Sequence, residues 1–120
     1  MIQYDDILSL QDDELINTLT QEFYCPIPLT LDTPEALHEC VPLLSKLTNS
    51  YAYLSVMLAS LKAQVRIEKS RNKEKYQELI SKRDTVDIFL GVIKQNYQGL
   101  SRMISTHTEE AKELEMLSKS

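Results

Sequence analysis

The chain has 120 residues, 42% of them hydrophobic and 26% charged, with 2 Gly, 4 Pro, no Trp and a net charge of -5. This length suits one domain with a modest core, and so few turn-forming residues argue against a sheet protein. No run approaches the roughly 18 apolar residues of a membrane span. The acidic start MIQYDDILSL also lacks the basic and then apolar pattern of a signal peptide, so a cytoplasmic protein is expected.

The charge is divided unevenly along the chain. Residues 1–45 carry nine acidic side chains and no Lys or Arg, whereas residues 62–83 carry eight basic side chains and three acidic ones. Such blocks indicate either a basic surface that meets an anionic partner or solvated faces that pair with one another within an oligomer. The charge pattern alone leaves both interpretations open.

The first predicted helix begins at residues 12–14, because three consecutive acidic residues suit a helix N-terminus. Apolar residues follow at helical spacing: Leu15, Ile16, Leu19 and Phe23. Pro26 and Pro28 then predict an extended linker or a short edge strand over residues 25–31. Residues 1–33 are therefore interpreted as an acidic N-terminal segment and residues 34–120 as a long-helix domain.

A second helix is predicted to begin after Asp32 or Thr33, since a capping side chain there precedes Pro34. Pro42 is expected to kink or end it. No proline occurs from Leu43 onward, and the apolar residues recur in steps of four and three, as in a coiled coil. These residues form the first seam: Leu47, Tyr51, Leu54, Leu58, Leu61 and Val65.

A second seam follows, out of phase with the first and separated from it by the polar residues 66–75. It comprises Tyr76, Leu79, Val86, Leu90, Ile93, Tyr97, Leu100 and Ile104, with Phe89 widening the stripe. The fold predicted is all-α, either as an antiparallel hairpin that turns between Ser70 and Asp84 or as one long helix that assembles with copies of itself. A helix from Leu43 to Ile80 would extend about 57 Å, too far to bury its stripe alone.

Self-association is expected in either architecture, because one apolar seam needs another to cover it. The residues predicted to mediate it are the whole first seam together with six positions of the second. Those six are Val86, Leu90, Ile93, Tyr97, Leu100 and Ile104.

No active site is indicated by the residues. His38, Cys25 and Cys40 lack an evident fourth metal ligand, and the two cysteines are interpreted as small apolar residues. A nucleophilic pair of Cys40 and His107 lacks any indicated orienting acid or oxyanion site. We therefore expect a protein that is not an enzyme and that needs no metal or cofactor.

The basic block is a candidate interface for nucleic acid. Lys and Arg along a helix can follow a phosphate backbone, and an aromatic ring among them can stack on an unpaired base. The predicted single-stranded DNA interface comprises Lys62, Arg66, Lys69, Arg71, Lys73, Lys75, Tyr76, Lys82 and Arg83. The alternative is an ordinary solvated helix face with a core tyrosine.

Two segments of the second seam carry a resemblance to a known family. They are KRDTVDIFLGVIK at Lys82–Lys94 and YQGLSRMI at Tyr97–Ile104, and they follow a long helix that starts with YAYL at Tyr51–Leu54 and turns basic at residues 66–75. In this arrangement, the last two thirds of the chain resemble the small helical recombination mediator proteins of tailed phages, the UvsY-type family.

The resemblance implies an accessory protein of phage DNA recombination that forms rings, binds single-stranded DNA and helps a recombinase displace the single-strand-binding protein. It assigns the basic helix to DNA and residues 84–104 to packing and assembly, with Arg102 as the most distinctive single residue. The acidic N-terminal third has no counterpart in it. The alternative function is a helical interaction module, such as a scaffold, chaperone or inhibitor, that holds a protein and does not touch DNA.

Overall fold

A computed structural model describes residues 1–28 and 34–119, which contain four helices. They are α1 (Tyr4–Ser9), α2 (Asp12–Phe23), α3 (Pro34–Glu68) and α4 (Lys73–Lys119). Because no strand occurs in these residues, the all-α prediction is confirmed for them. Residues 24–28 have no regular secondary structure, while residues 29–31 of the predicted linker and the predicted cap at Asp32 or Thr33 lie outside the described residues.

The hairpin alternative is the architecture observed, with α3 and α4 packed together along most of the length of α3. The chain reverses at residues 69–72, where the N–H groups of Arg71 and Asn72 both donate to the Glu68 carbonyl at 3.1 Å. Asn72 then caps α4, since its side-chain oxygen accepts a hydrogen bond from the Lys75 N–H at 3.2 Å. This turn places the basic stretch of the sequence at one end of the hairpin.

Of the two outcomes predicted for Pro42, a kink or the end of the helix, the end is wrong, because α3 continues through this residue. A proline in a helix interior costs about 3 kcal/mol relative to alanine. Cys40 and Leu47, on either side of it, are buried in the same core at 0% and 1% exposure. Packing on both sides holds the two halves of α3 in one helix and offsets the cost of the proline.

The N-terminal helix α1 has no counterpart among the predicted elements, because six residues are too few for a periodic apolar pattern. It is stabilised locally: the Gln3 N–H donates to the Asp6 carboxylate at 2.8 Å in a capping box. It is also anchored by Ile7, which is fully buried. A local cap and a tertiary contact, rather than helix propensity, therefore account for α1.

The core runs along the inside of the hairpin and continues beneath α1 and α2. Ten of the seam residues are between 0% and 7% exposed: Leu47, Leu54, Leu58, Leu61, Val65, Leu79, Val86, Leu90, Ile93 and Leu100. The N-terminal helices contribute Ile7, Leu15, Leu19 and Phe23 to the same core. The two seams therefore cover each other within one chain, and their burial no longer requires a second copy.

The molecule is a rod of 72 × 23 × 17 Å, whose length is set by α4. The 47 residues of α4 rise about 70 Å, and α4 is longer than the 35-residue α3. Residues 108–118, which we call the overhang, are all exposed. None of the helices in the described part of the chain is both long and apolar enough to cross a bilayer.

Candidate nucleic-acid interface

The turn and the helix ends beside it gather most of the predicted DNA-binding residues at one end of the rod. We call residues 62–75 the hairpin tip. Six basic and two acidic side chains lie in it, which gives a formal charge of +4. The six basic side chains are exposed: Lys62, Arg66, Lys69, Arg71, Lys73 and Lys75.

Most of this positive charge is not neutralised within the chain. Lys75 lies 3.9 Å from the carboxylate of Glu68, which is only 8% exposed and also accepts a hydrogen bond from Gln64 at 3.3 Å. The other five basic side chains of the tip form no ion pair with any carboxylate in residues 1–28 and 34–119. Five cations at one end of the rod are therefore free to meet an anionic partner.

Three of the predicted interface residues are engaged elsewhere, and for Lys82 the structure requires a correction. Lys82 is 8% exposed, and its ammonium group donates a hydrogen bond to the carbonyl of Leu8 at the end of α1. Arg83 forms an ion pair at 3.1 Å with Asp84, and the half-buried ring of Tyr76 packs against the core. Lys82 thus anchors the N-terminal helices and does not lie on an open basic surface.

The acidic N-terminal segment is folded against the hairpin through several polar contacts. The Ser81 hydroxyl donates to Asp12 at 2.6 Å, and the Tyr53 hydroxyl donates to the Ile2 carbonyl. The backbone N–H of Ile2 donates to Glu22 at 2.7 Å. The face of the hairpin that carries α1 and α2 is therefore acidic, which disfavours the approach of a nucleic acid from that side.

A groove between α3 and α4 opens on the other face, and we call it the interhelical groove. Tyr51 faces it, whereas Tyr53 faces the N-terminal helices, because residues two apart on a helix point in nearly opposite directions. One part, of about 350 Å³, is lined by Leu47, Thr48, Tyr51, Ile93, Lys94, Tyr97 and Gln98. The second part continues toward the tip and is lined by Tyr51, Ser55, Leu58, Ala59, Lys62, Asp87, Leu90, Gly91 and Lys94.

The two cysteines have the surroundings of core residues. Cys25 and Cys40 are free thiols, 2% and 0% exposed. Burial, and to a lesser extent the nearby Glu39 carboxylate, raises the pKa of the Cys40 thiol above its ordinary value of 9.0. A thiol of raised pKa is a poor nucleophile at neutral pH. Among the described side chains, no group of three or more His, Cys, Asp or Glu residues is placed to hold a metal ion.

We expect Lys82→Met to loosen the N-terminal helices, because it leaves the carbonyl of the half-buried Leu8 without its donor. An unsatisfied buried carbonyl costs about 1–3 kcal/mol, so amide hydrogen exchange in α1 should become roughly 5- to 150-fold faster. The control is Lys46→Met, which removes an exposed lysine of α3. Unchanged protection of α1 in the Lys82 variant would contradict the anchoring role.

Comparison of the chain with protein-family models, with curated proteins and with solved structures found no match. The resemblance to phage recombination mediators therefore depends only on the spacing of residues 51–104 in this sequence.

Proposed function

We propose that this chain is a non-enzymatic accessory protein of phage DNA recombination or replication that binds single-stranded DNA and helps to load a recombinase in the host cytoplasm. One observation supports the DNA-binding part: five exposed basic side chains lie together at the hairpin tip and form no ion pair with a carboxylate of the described residues. The recombinase and the single-strand-binding protein are partners by resemblance to the mediator family.

Electrostatics supports a nucleic acid as the ligand of the tip. Cations that contact phosphates release the counterions condensed on the strand, and this release drives binding that does not depend on sequence. The negative charges of α1 and α2 lie on one face of the rod, so a strand held at the tip is directed toward the opposite face.

Binding of a fluorescently labelled oligothymidine, followed by anisotropy at several salt concentrations, tests the proposal. Each neutralised phosphate contributes about -0.7 to the slope of log affinity against log salt for a single strand, so engagement of all five cations predicts a slope of about -3.5. Undetectable binding at low salt would contradict DNA binding by this chain.

A second candidate function, a protein-interaction module, is favoured by the overhang. Leu114 and Met116 are 68% and 72% exposed there, and Ala111 and Leu114 continue the spacing of the second seam past the start of α3. Since most seam residues are already buried within one chain, the overhang is the surface we propose for self-association.

Light scattering at several protein concentrations tests self-association, with a mass above 13.8 kDa as the expected result. Leu114→Gln should lower that mass, whereas Ile88→Gln should not, although Ile88 is equally exposed at 71% on the same helix. A persistent monomer would exclude self-association through the overhang.

A further inference from the structure

Two tyrosines depart from the burial pattern of the seams. Tyr51 and Tyr97 occupy seam positions, yet each is 40% exposed, while the neighbouring seam residues Leu47, Leu54 and Ile93 are between 0% and 2% exposed. Both rings line the same part of the interhelical groove. The groove thus presents two partly open aromatic rings, each supported by the core beneath it.

Positive charge lies beside these rings. Lys94 lines both parts of the groove, and Lys62 lines the part nearer the tip. Neither lysine forms an ion pair with a carboxylate in the described residues, although Asp87 also lines the groove. Aromatic rings that stack on bases, combined with cations that follow the backbone, are the usual composition of a surface for single-stranded nucleic acid.

The groove is continuous with the hairpin tip, because Lys62 belongs to both. Along α3, the distance from Tyr51 to Lys69 at the turn is about 27 Å. We propose that the interhelical groove is a base-stacking subsite for the single strand held at the tip. Tyr51 and Tyr97 stack on unpaired bases there, while Lys62 and Lys94 contact the phosphates.

This inference rests on the proposed function and extends it to the face of the hairpin opposite α1 and α2. A second copy of the chain is the competing occupant of the groove. Two unpaired lysines at the rim favour a polyanion over a copy whose own groove carries the same charges, since like charges facing each other disfavour self-docking.

The test compares two strands of equal length, oligothymidine and an abasic strand that keeps the phosphates but has no bases. The variant Tyr51→Leu/Tyr97→Leu keeps apolar side chains on the core and removes the rings. Stacking on an aromatic side chain is typically worth tenfold or more in affinity, so the variant should bind oligothymidine at least about tenfold more weakly than the wild type. On the abasic strand, the variant and the wild type should bind equally.

Gly91 supplies a second pair of variants that leaves the tyrosines in place. A Cβ atom added at the exposed Gly91 meets nothing within 4 Å, so a side chain at this position starts in open space. Gly91→Glu should weaken binding of oligothymidine several-fold, whereas Gly91→Lys, of similar length and opposite charge, should not weaken it. If a second copy occupies the groove, both substitutions should lower the mass in solution and leave DNA binding unchanged.

The outcomes separate this inference from the proposed function. A wild-type chain that binds neither strand contradicts both. A further outcome is that neutralising the basic side chains of the tip weakens oligothymidine binding, with no effect from removing the two rings. That result would contradict the base-stacking subsite in the groove and leave DNA binding at the tip intact. An equal loss of affinity for both strands in the tyrosine variant also contradicts the base-stacking subsite, because the rings then support the fold and do not contact bases.

Discussion

Replacement of Lys69, Arg71 and Lys73 by glutamine is expected to lower the affinity for a single strand about 100-fold near 0.1 M salt. Each lost phosphate contact removes about 0.7 from the magnitude of the slope of log affinity against log salt. The slope should therefore become less negative by about 2. These three side chains are exposed and form no ion pair within residues 1–28 and 34–119, so their loss should leave the fold and the melting temperature nearly unchanged.

The matched control changes the net charge by the same amount at a distance from the tip. Lys46, Arg102 and Lys112 are exposed on α3 and α4, so their triple replacement by glutamine removes three positive charges from the rest of the rod. We expect the control to bind with nearly the slope of the wild type. Equal losses in the two variants would mean that net charge, and not the tip, governs binding.

Leu54→Ala is expected to reduce the free energy of unfolding by about 2–5 kcal/mol, the usual cost of removing a large buried aliphatic side chain. Leu54 is 0% exposed and lies in the core of the hairpin. Since small domains are stable by only about 5–15 kcal/mol, this single change should shift the urea midpoint strongly. The control is Val56→Ala on the same helix, where the side chain is 69% exposed and a change of less than about 0.5 kcal/mol is expected.

The same denaturation experiment distinguishes the hairpin from pairing of the seams between chains. The test uses the Leu114→Gln background, which removes the proposed self-association through the overhang. When the seams cover each other within one chain, the urea midpoint in this background does not depend on protein concentration. When they pair between copies, folding is coupled to association and the midpoint rises with concentration. A concentration-dependent midpoint in the Leu114→Gln background that Leu54→Ala also shifts would contradict the intramolecular core.

The helices were largely predictable because their apolar spacing is long and regular. The seam around Leu54 and the seam around Val86 each predict one apolar helix face. The turn at residues 69–72 lies in the polar stretch between the two seams, where the apolar spacing is interrupted. The choice between a hairpin and a continuous helix was not predictable, because this stretch has neither glycine nor proline. The Asn72 cap, followed by Glu74 in the first turn of α4, was the one local signal for the turn.

The positive charge of the candidate site could be predicted from the sequence, but the exposure of its individual side chains could not. The predicted interface includes six residues that the structure places on the exposed tip, but it also includes Lys82, whose hydrogen bond with Leu8 joins residues 74 positions apart. No periodicity reveals such a contact. The exposure of Tyr51 and Tyr97 is equally invisible in the spacing, because the seam pattern assigns both rings to the core.

NMR chemical-shift changes of the backbone amides on addition of oligothymidine locate the nucleic-acid interface residue by residue. We expect the largest changes in residues 62–75, with further changes around Tyr51, Lys94 and Tyr97. Amides of α1, α2 and the overhang should change little. Changes concentrated on α1, α2 or the overhang, with none at the tip, would contradict the assignment of the hairpin tip as the nucleic-acid interface.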